Sequence, residues 1–239
     1  MDQQVVAELA PTGVLRAAIN MGNFLLVTGK TAAGDPTGVA PDMAVEIARR
    51  LGVGVRYVPF ERPSTLADAA GTNTWDIGLI GAEPQRAAKI TFTDAYCEIE
   101  ATYLVHPGSP FHSVADVDRA GVRISVRRGA AYCLWLERNI KHAAVMSFEA
   151  ADAPLNQFMT EKLDALAGLR PGLLDDVKKV PGGKILPGNF MTVQQAIGTG
   201  KPNMAGARFL QEFVADAKKS GLVAKLIDKH HVVGLSVAP

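Results

Sequence analysis

Between Gly13 and Ile80, three short apolar runs alternate with two helical patterns, and that alternation constrains the fold before any single residue is weighed. Residues 13–19 read as a first strand. From Pro41 to Leu51 the pattern is helical: Met43, Ile47 and Leu51 recur every four residues, Ala44 and Ala48 fill the adjacent row, and Gly52 is a natural stop. Residues 53–59 read as a second strand, 60–70 as a linker and helix, and 75–80 as a third strand. The order strand, helix, strand, helix, strand implies a parallel sheet with crossover helices, and so an α/β fold.

A second cycle follows. Residues 100–105 read as a strand closed by His106-Pro107, Ser113 is placed to cap a short helix over 114–118, and 121–126 form a strand leading to a helix over 132–139. A strand over 145–148, a helix over 153–161 and a strand over 163–167 complete it. Residues 188–195 read as one more strand, 205–220 as an amphipathic helix, and 221–231 as a last helical segment. In both cycles a strand runs into a Gly-containing turn carrying an arginine, Arg86 in the first and Arg170 in the second. Two similar lobes facing each other across a cleft would have this arrangement.

The segment Asp76 to Tyr96 is the most informative for function. Its strand should stop at Gly81, after which Gly81-Ala82-Glu83-Pro84 has turn chemistry and Pro84 can open a short helix. Arg86 then lies just beyond a strand end. In open α/β sheets ligands sit outside the carboxyl ends of strands, where a guanidinium can clamp a carboxylate through two parallel hydrogen bonds.

Composition removes several function classes. A length of 239 residues suits one or two domains, and a net charge of +1 with both signs interleaved lacks the basic footprint of a nucleic-acid binder. No apolar window reaches the roughly eighteen residues of a membrane span. The amino terminus has neither a basic start nor an apolar core of secretory length, so the expectation is a chain without an export signal, cytoplasmic or already relieved of its leader. Cys97 and Cys133 are too few and too far apart for a metal motif, and the adjacent His230 and His231 would point about 100° apart on a helix. Two free thiols, no metal and no cofactor are expected.

Several segments together resemble the bilobed solute-binding proteins of ABC importers, in particular the amino-acid-type (polar) class, family 3. The resemblance rests on Gly38-Val-Ala-Pro-Asp-Met-Ala-Val-Glu-Ile-Ala-Arg-Arg-Leu-Gly-Val53, on the Asp-led strand, Pro-x-Arg turn and Phe-Thr-Asp-x-Tyr segment of residues 76–96, and on the closing helix of residues 215–227. It implies the type II periplasmic-binding-protein fold: two Rossmann-like lobes joined by two crossing strands. Lobe one would be residues 1–103 plus 195–239 and lobe two 104–194, with the ligand cleft between them.

Carried over residue by residue, the resemblance makes Arg86 the carboxylate anchor. It sets Asn20, Asn23, Phe24 and Phe60 in loops that cover the ligand, and Tyr132 and Trp135 in the lobe-two wall or core. The sequence also departs from the pattern. Gly81-Ala82-Glu83 stands where a hydroxyl usually precedes the arginine, and Gly129-Ala130-Ala131 where the lobe-two helix usually starts Gly-Thr-Thr, leaving only backbone N–H groups for an anion. Leu169 stands where an aspartate usually meets the ligand's α-ammonium. Arg170 would add a second cation if it points into the cleft. Glu83 would brace Arg86 or accept from an amine, and bracing is the favoured reading.

The expected function is that of a non-catalytic, monomeric periplasmic protein that closes on a small organic anion, a carboxylate or amino-acid-like solute, and delivers it to an ABC permease. The alternative is a cleft enzyme of the same fold, a lyase like cyclohexadienyl dehydratase, with Glu83 as the one nameable acid. Cys133, after a Gly-Ala-Ala turn at a helix start, carries a minor reading as a reactive thiolate.

Overall fold

The computed structural model describes residues 2–239, which divide into two compact units. One comprises the residues up to Glu98 together with Gln194–Pro239, the other Ile99–Val193.

In the first unit a short helix, α1 (Gln3–Leu9), is capped by Asp2, whose side chain accepts from the backbone N–H of Gln4. Strand β1 (Val14–Asn20) follows, then helix α2 (Val39–Leu51), strand β2 (Gly54–Phe60), helix α3 (Pro63–Asp68) and strand β3 (Ile77–Gly81). β1 lies between β2 and β3, parallel to both, with Asn20 opposite Phe60 and Ile19 opposite Leu79. A strand flanked on both edges and covered on both faces is apolar along its length, as Leu15, Ala17, Ala18 and Ile19 are. α2 stops where the sequence predicts, on Gly52 in the left-handed region at φ 74°. A turn of helix, α4 (Pro84–Ala87), follows β3.

One polar residue interrupts β1. Arg16 is buried and bridges Asp76, its Nε donating to Oδ2 at 3.0 Å and its Nη2 to Oδ1 at 2.6 Å, while further donors reach the carbonyl and side chain of Asn73. The Asp76 carboxylate also accepts the Arg16 backbone N–H. Those hydrogen bonds raise the arginine's pKa above its usual value, against the opposing effect of burial. The leading aspartate of the sequence motif therefore fastens β1 to β3.

Strand β4 (Cys97–Val105) carries the chain into the second unit. There β5 (Arg123–Arg127), α5 (Ala131–Asn139), β6 (Ala144–Phe148), α6 (Ala153–Thr160), β7 (Ala165–Leu169) and α7 (Arg170–Asp176) follow in order. β7 lies antiparallel to β4 and parallel to β5, which pairs in parallel with β6. Strand alternation divides the core into two layers. Ala165 and Ala167 join Ile124, Val126 and Leu136, whereas Leu166 joins Phe158, Leu163 and Leu173. Ser113 and Asp116 form the capping box of a one-turn 3₁₀ helix, Val114–Val117.

Strand β8 (Met191–Gly200) returns the chain to the first unit, where it runs antiparallel to β3 with Gln195 opposite Gly81. Helices α8 (Met204–Lys219) and α9 (Leu222–Lys229) finish it, with Leu210, Phe213, Val214 and Ala217 buried on the α8 face that the sequence marks.

The differences from the sequence expectations lie at element ends and in two short helices. β8 runs five residues past the expected Gln195 because β3 offers it a partner as far as Thr199. α1 and α7 lie outside the expected elements; α7 begins within the turn read around Arg170, and its Pro171 is tolerated in a first turn. Both cysteines are free and buried. Burial, reinforced by Glu137, pushes the Cys133 thiol up to about 12, which corrects the reactive-thiolate reading.

Candidate functional site

The carboxyl ends of β1, β2 and β3 meet at one edge of the first unit, and three of the anticipated residues, Asn20, Phe60 and Gly81, end those strands. The Met21 N–H donates to the Phe60 carbonyl at 2.8 Å and ties the β1 exit loop down. Beyond β3 the chain turns at once into α4. The N–H groups of Arg86 and Ala87 donate to the Glu83 carbonyl, so a single helical turn folds Arg86 back toward the strand it left.

Arg86 is only 5% exposed, and its Nη1 donates to the carbonyl of Gly81 at 2.7 Å. Glu83, 4% exposed, is its electrostatic partner. Burial lowers the Arg86 pKa to about 10 while the Glu83 charge opposes that shift, so the guanidinium is fully charged at neutral pH. A cation held rigidly in a desolvated setting at a strand end can form a strong, geometrically selective pair with a carboxylate.

The other residues expected on this side divide by role. Asn23 is buried and occupied with its own turn: its side chain accepts from the Leu25 N–H at 3.2 Å and its carbonyl from Leu26 and Val27. Asn20 likewise accepts from the Gly22 N–H. Phe24, next to Asn23, is 50% exposed. Phe60 is partly buried and packs against the cluster built on Leu66, Trp75 and Ile80. Gln195, which the sequence did not single out, is buried opposite Gly81 with no hydrogen-bond partner for its Oε1. The adjacent amides Gln194 and Gln195 in a strand were its one available signal.

In the second unit the corresponding strand ends carry Ala130, Ala131, Tyr132 and Leu169. Ala130 and Ala131 are buried, and Tyr132 lies against two apolar clusters. Trp135 packs on Phe190 at a centroid distance of 5.3 Å, the core placement expected of it. Arg170 opens α7, where its Nε donates to Glu100 Oε2 at 2.5 Å and its Nη2 to the Gly188 carbonyl. Its charge is therefore balanced inside this unit, unlike the uncompensated second cation that the sequence allowed. Among the described residues no group of three or more His, Cys, Asp or Glu is placed to hold a metal ion, and no helix is long and apolar enough to cross a membrane.

Comparison with known proteins agrees with this architecture. Solved structures align over almost the whole chain at low identity. A mutant of ArgBP from T. maritima matches with a TM-score of 0.74 at 22% identity, covering 95% of this chain and 99% of that one. An ancestral amino acid-binding protein described as a precursor of cyclohexadienyl dehydratase matches with a TM-score of 0.73 at 22% identity, covering 94% and 98%. The amino acid ABC transporter substrate-binding protein AbpA of Streptococcus pneumoniae, bound to L-arginine, matches with a TM-score of 0.73 at 18% identity, covering 93% and 96%. At such identities these matches establish the fold, the type II periplasmic-binding-protein fold. No individual curated sequence matched. The family model for bacterial extracellular solute-binding proteins, family 3, matches residues 23–233, and the chain belongs to that family.

Proposed function

We propose that this solute-binding protein captures a small organic carboxylate, anchored on Arg86, by closure of its two lobes, and passes it to an ABC permease outside the cytoplasm. The observation that carries the reading is the burial of Arg86 at the end of β3, fixed on the Gly81 carbonyl and beside Glu83. Several relatives by fold are amino-acid-binding components of ABC transporters, which supports a carboxylate as the recognised group. Contacts that a solute makes with both lobes favour the closed state over the open one, so capture needs no other energy source.

The protein is proposed to act as a monomer and to release its solute unchanged. The fold likeness to a precursor of cyclohexadienyl dehydratase supports one competing reading, a lyase with Glu83 as the acid. Glu83 is buried against a cation, an arrangement that suits bracing better than proton delivery. Calorimetric titration with a panel of carboxylates, followed by recovery and analysis of the bound molecule, tests both. The expected result is stoichiometric binding, return of the unaltered solute, and loss of binding in Arg86→Ala. Turnover of prephenate that disappears in Glu83→Gln would instead establish the lyase.

A further inference from the structure

Two adjacent glutamines in β8 face opposite sides of the strand and differ in their bonding. Gln194 Nε2 donates to Glu98 Oε2 at 2.8 Å. Gln195 is 3% exposed, and its Oε1 has no hydrogen-bond partner among the described residues. Its main-chain carbonyl accepts from the Tyr96 N–H at 2.9 Å, so it is the side-chain acceptor that is left over. The Tyr96 hydroxyl, also buried and without a partner, does not meet it. A buried acceptor without a donor is destabilising, and Ile197, two residues on and on the same face, shows the apolar choice that packing alone would favour.

Gln195 stands directly opposite Gly81 in the antiparallel pairing of β3 and β8. The neighbouring ladder bond, from the Ala82 N–H to the Gln194 carbonyl, makes Gly81 and Gln195 the closer, non-hydrogen-bonded kind of pair, with Cα atoms about 4.5 Å apart. Gly81 has no side chain to share that face, and its carbonyl holds the Arg86 guanidinium at 2.7 Å. All three residues belong to the first unit. An unused acceptor and a buried cation are thus held against one glycine. We propose that Gln195 sets the specificity of the Arg86 site: its Oε1 accepts from an O–H or N–H that the solute carries on the carbon next to its carboxylate. The inference rests on the reading of Arg86 as the carboxylate anchor and adds the donor that separates the solute from a plain carboxylic acid.

The test is isothermal titration calorimetry on the whole chain with two series that differ only at the carbon beside the carboxylate. One is propanoate, lactate and alanine; the other is 3-phenylpropanoate, 3-phenyllactate and phenylalanine. In at least one series a donor-bearing acid is expected to bind the native protein at least about tenfold more tightly than its plain parent, the scale of one hydrogen bond to a buried group. The better of the two donors identifies it as hydroxyl or ammonium. Gln195→Met, which keeps the length and removes the acceptor, is expected to abolish that preference, with plain-acid affinity unchanged and a melting temperature no lower than the native one. Tyr96→Phe is expected to leave the preference intact. A preference that persists in Gln195→Met, equal binding of plain and substituted acids, or loss of the preference in Tyr96→Phe would overturn the inference, and would leave the carboxylate anchor standing where Arg86→Ala abolishes binding. Undiminished binding in Arg86→Ala would overturn both, and failure of all six compounds to bind would overturn the inference as well.

Discussion

Arg16 and Arg86 are both buried, for different reasons. Arg16 has its charge matched by Asp76 and its remaining donors taken by Asn73, so it is a fastening between β1 and β3. Removing one member of a buried pair leaves the other charge uncompensated. Asp76→Ala is therefore expected to cost roughly 3–5 kcal/mol in chemical denaturation, with solute affinity of the folded protein unchanged. Arg86 lies beyond the other, carboxyl end of β3, on a carbonyl and beside a carboxylate that reduces the cost of its burial. Glu83→Gln is expected to weaken solute binding only a few-fold if Glu83 braces the arginine, measurable by calorimetry. A loss as large as that of Arg86→Ala would mean that Glu83 touches the solute itself. Sequence reading reached Arg86 and Glu83 because strand, turn and helix signals are local. It did not reach the Arg16 pairing, whose partners are 60 residues apart, nor the pairing of Arg170 with Glu100 across 70 residues, because separation along the chain hides contact.

At the level of elements, α2 and α9 are joined through Asp42, whose Oδ2 lies 2.7 Å from Lys229 Nζ and 2.8 Å from His230 Nε2. Burial alone would raise the Asp42 pKa, but the hydrogen bonds from Lys229 and His230 outweigh it and hold the carboxyl below its usual range. A depressed carboxyl contributes stability that is complete above its unfolded pKa, about 3.9, and is lost as pH falls through the folded value. Asp42→Asn should lower the melting temperature at pH 7 and reduce its fall on acidification below about pH 4, as followed by circular dichroism. β8 supplies a steric counterpart. A Cβ at Gly198 would lie 2.3 Å from Ile90 Cγ2 and 3.0 Å from the Phe92 ring, so Gly198→Ala is expected to destabilise by roughly 1–3 kcal/mol through overpacking. Long helices such as α2 and α8 were legible because a buried stripe repeats over three or four turns. α1, with seven residues, shows too little of such a stripe, and α7 was hidden by a proline and a glycine that its first turn accommodates.

For the molecule as a whole, α/β alternation in two cycles was readable, since strand and helix periods differ and crossover connections limit the topology, whereas the return of the chain near residue 190 was only what the family resemblance implied. The apolar character of the second unit's strand ends was visible at Leu169 and Ala131. Its extent was not, because Phe190, Met191 and Val193 reach that cluster from another part of the chain. In the proposed function, the part assigned to Arg86 is the one on which the rest depends. The most direct measurement is therefore the affinity of the tightest carboxylate for the native protein and for Arg86→Ala, by calorimetry at neutral pH, with Arg86→Lys as a second variant that keeps the charge and loses the fork. Loss of roughly 2–5 kcal/mol of binding free energy in Arg86→Ala, with partial retention in Arg86→Lys, is the predicted result. Unchanged affinity in a folded Arg86→Ala protein would contradict it.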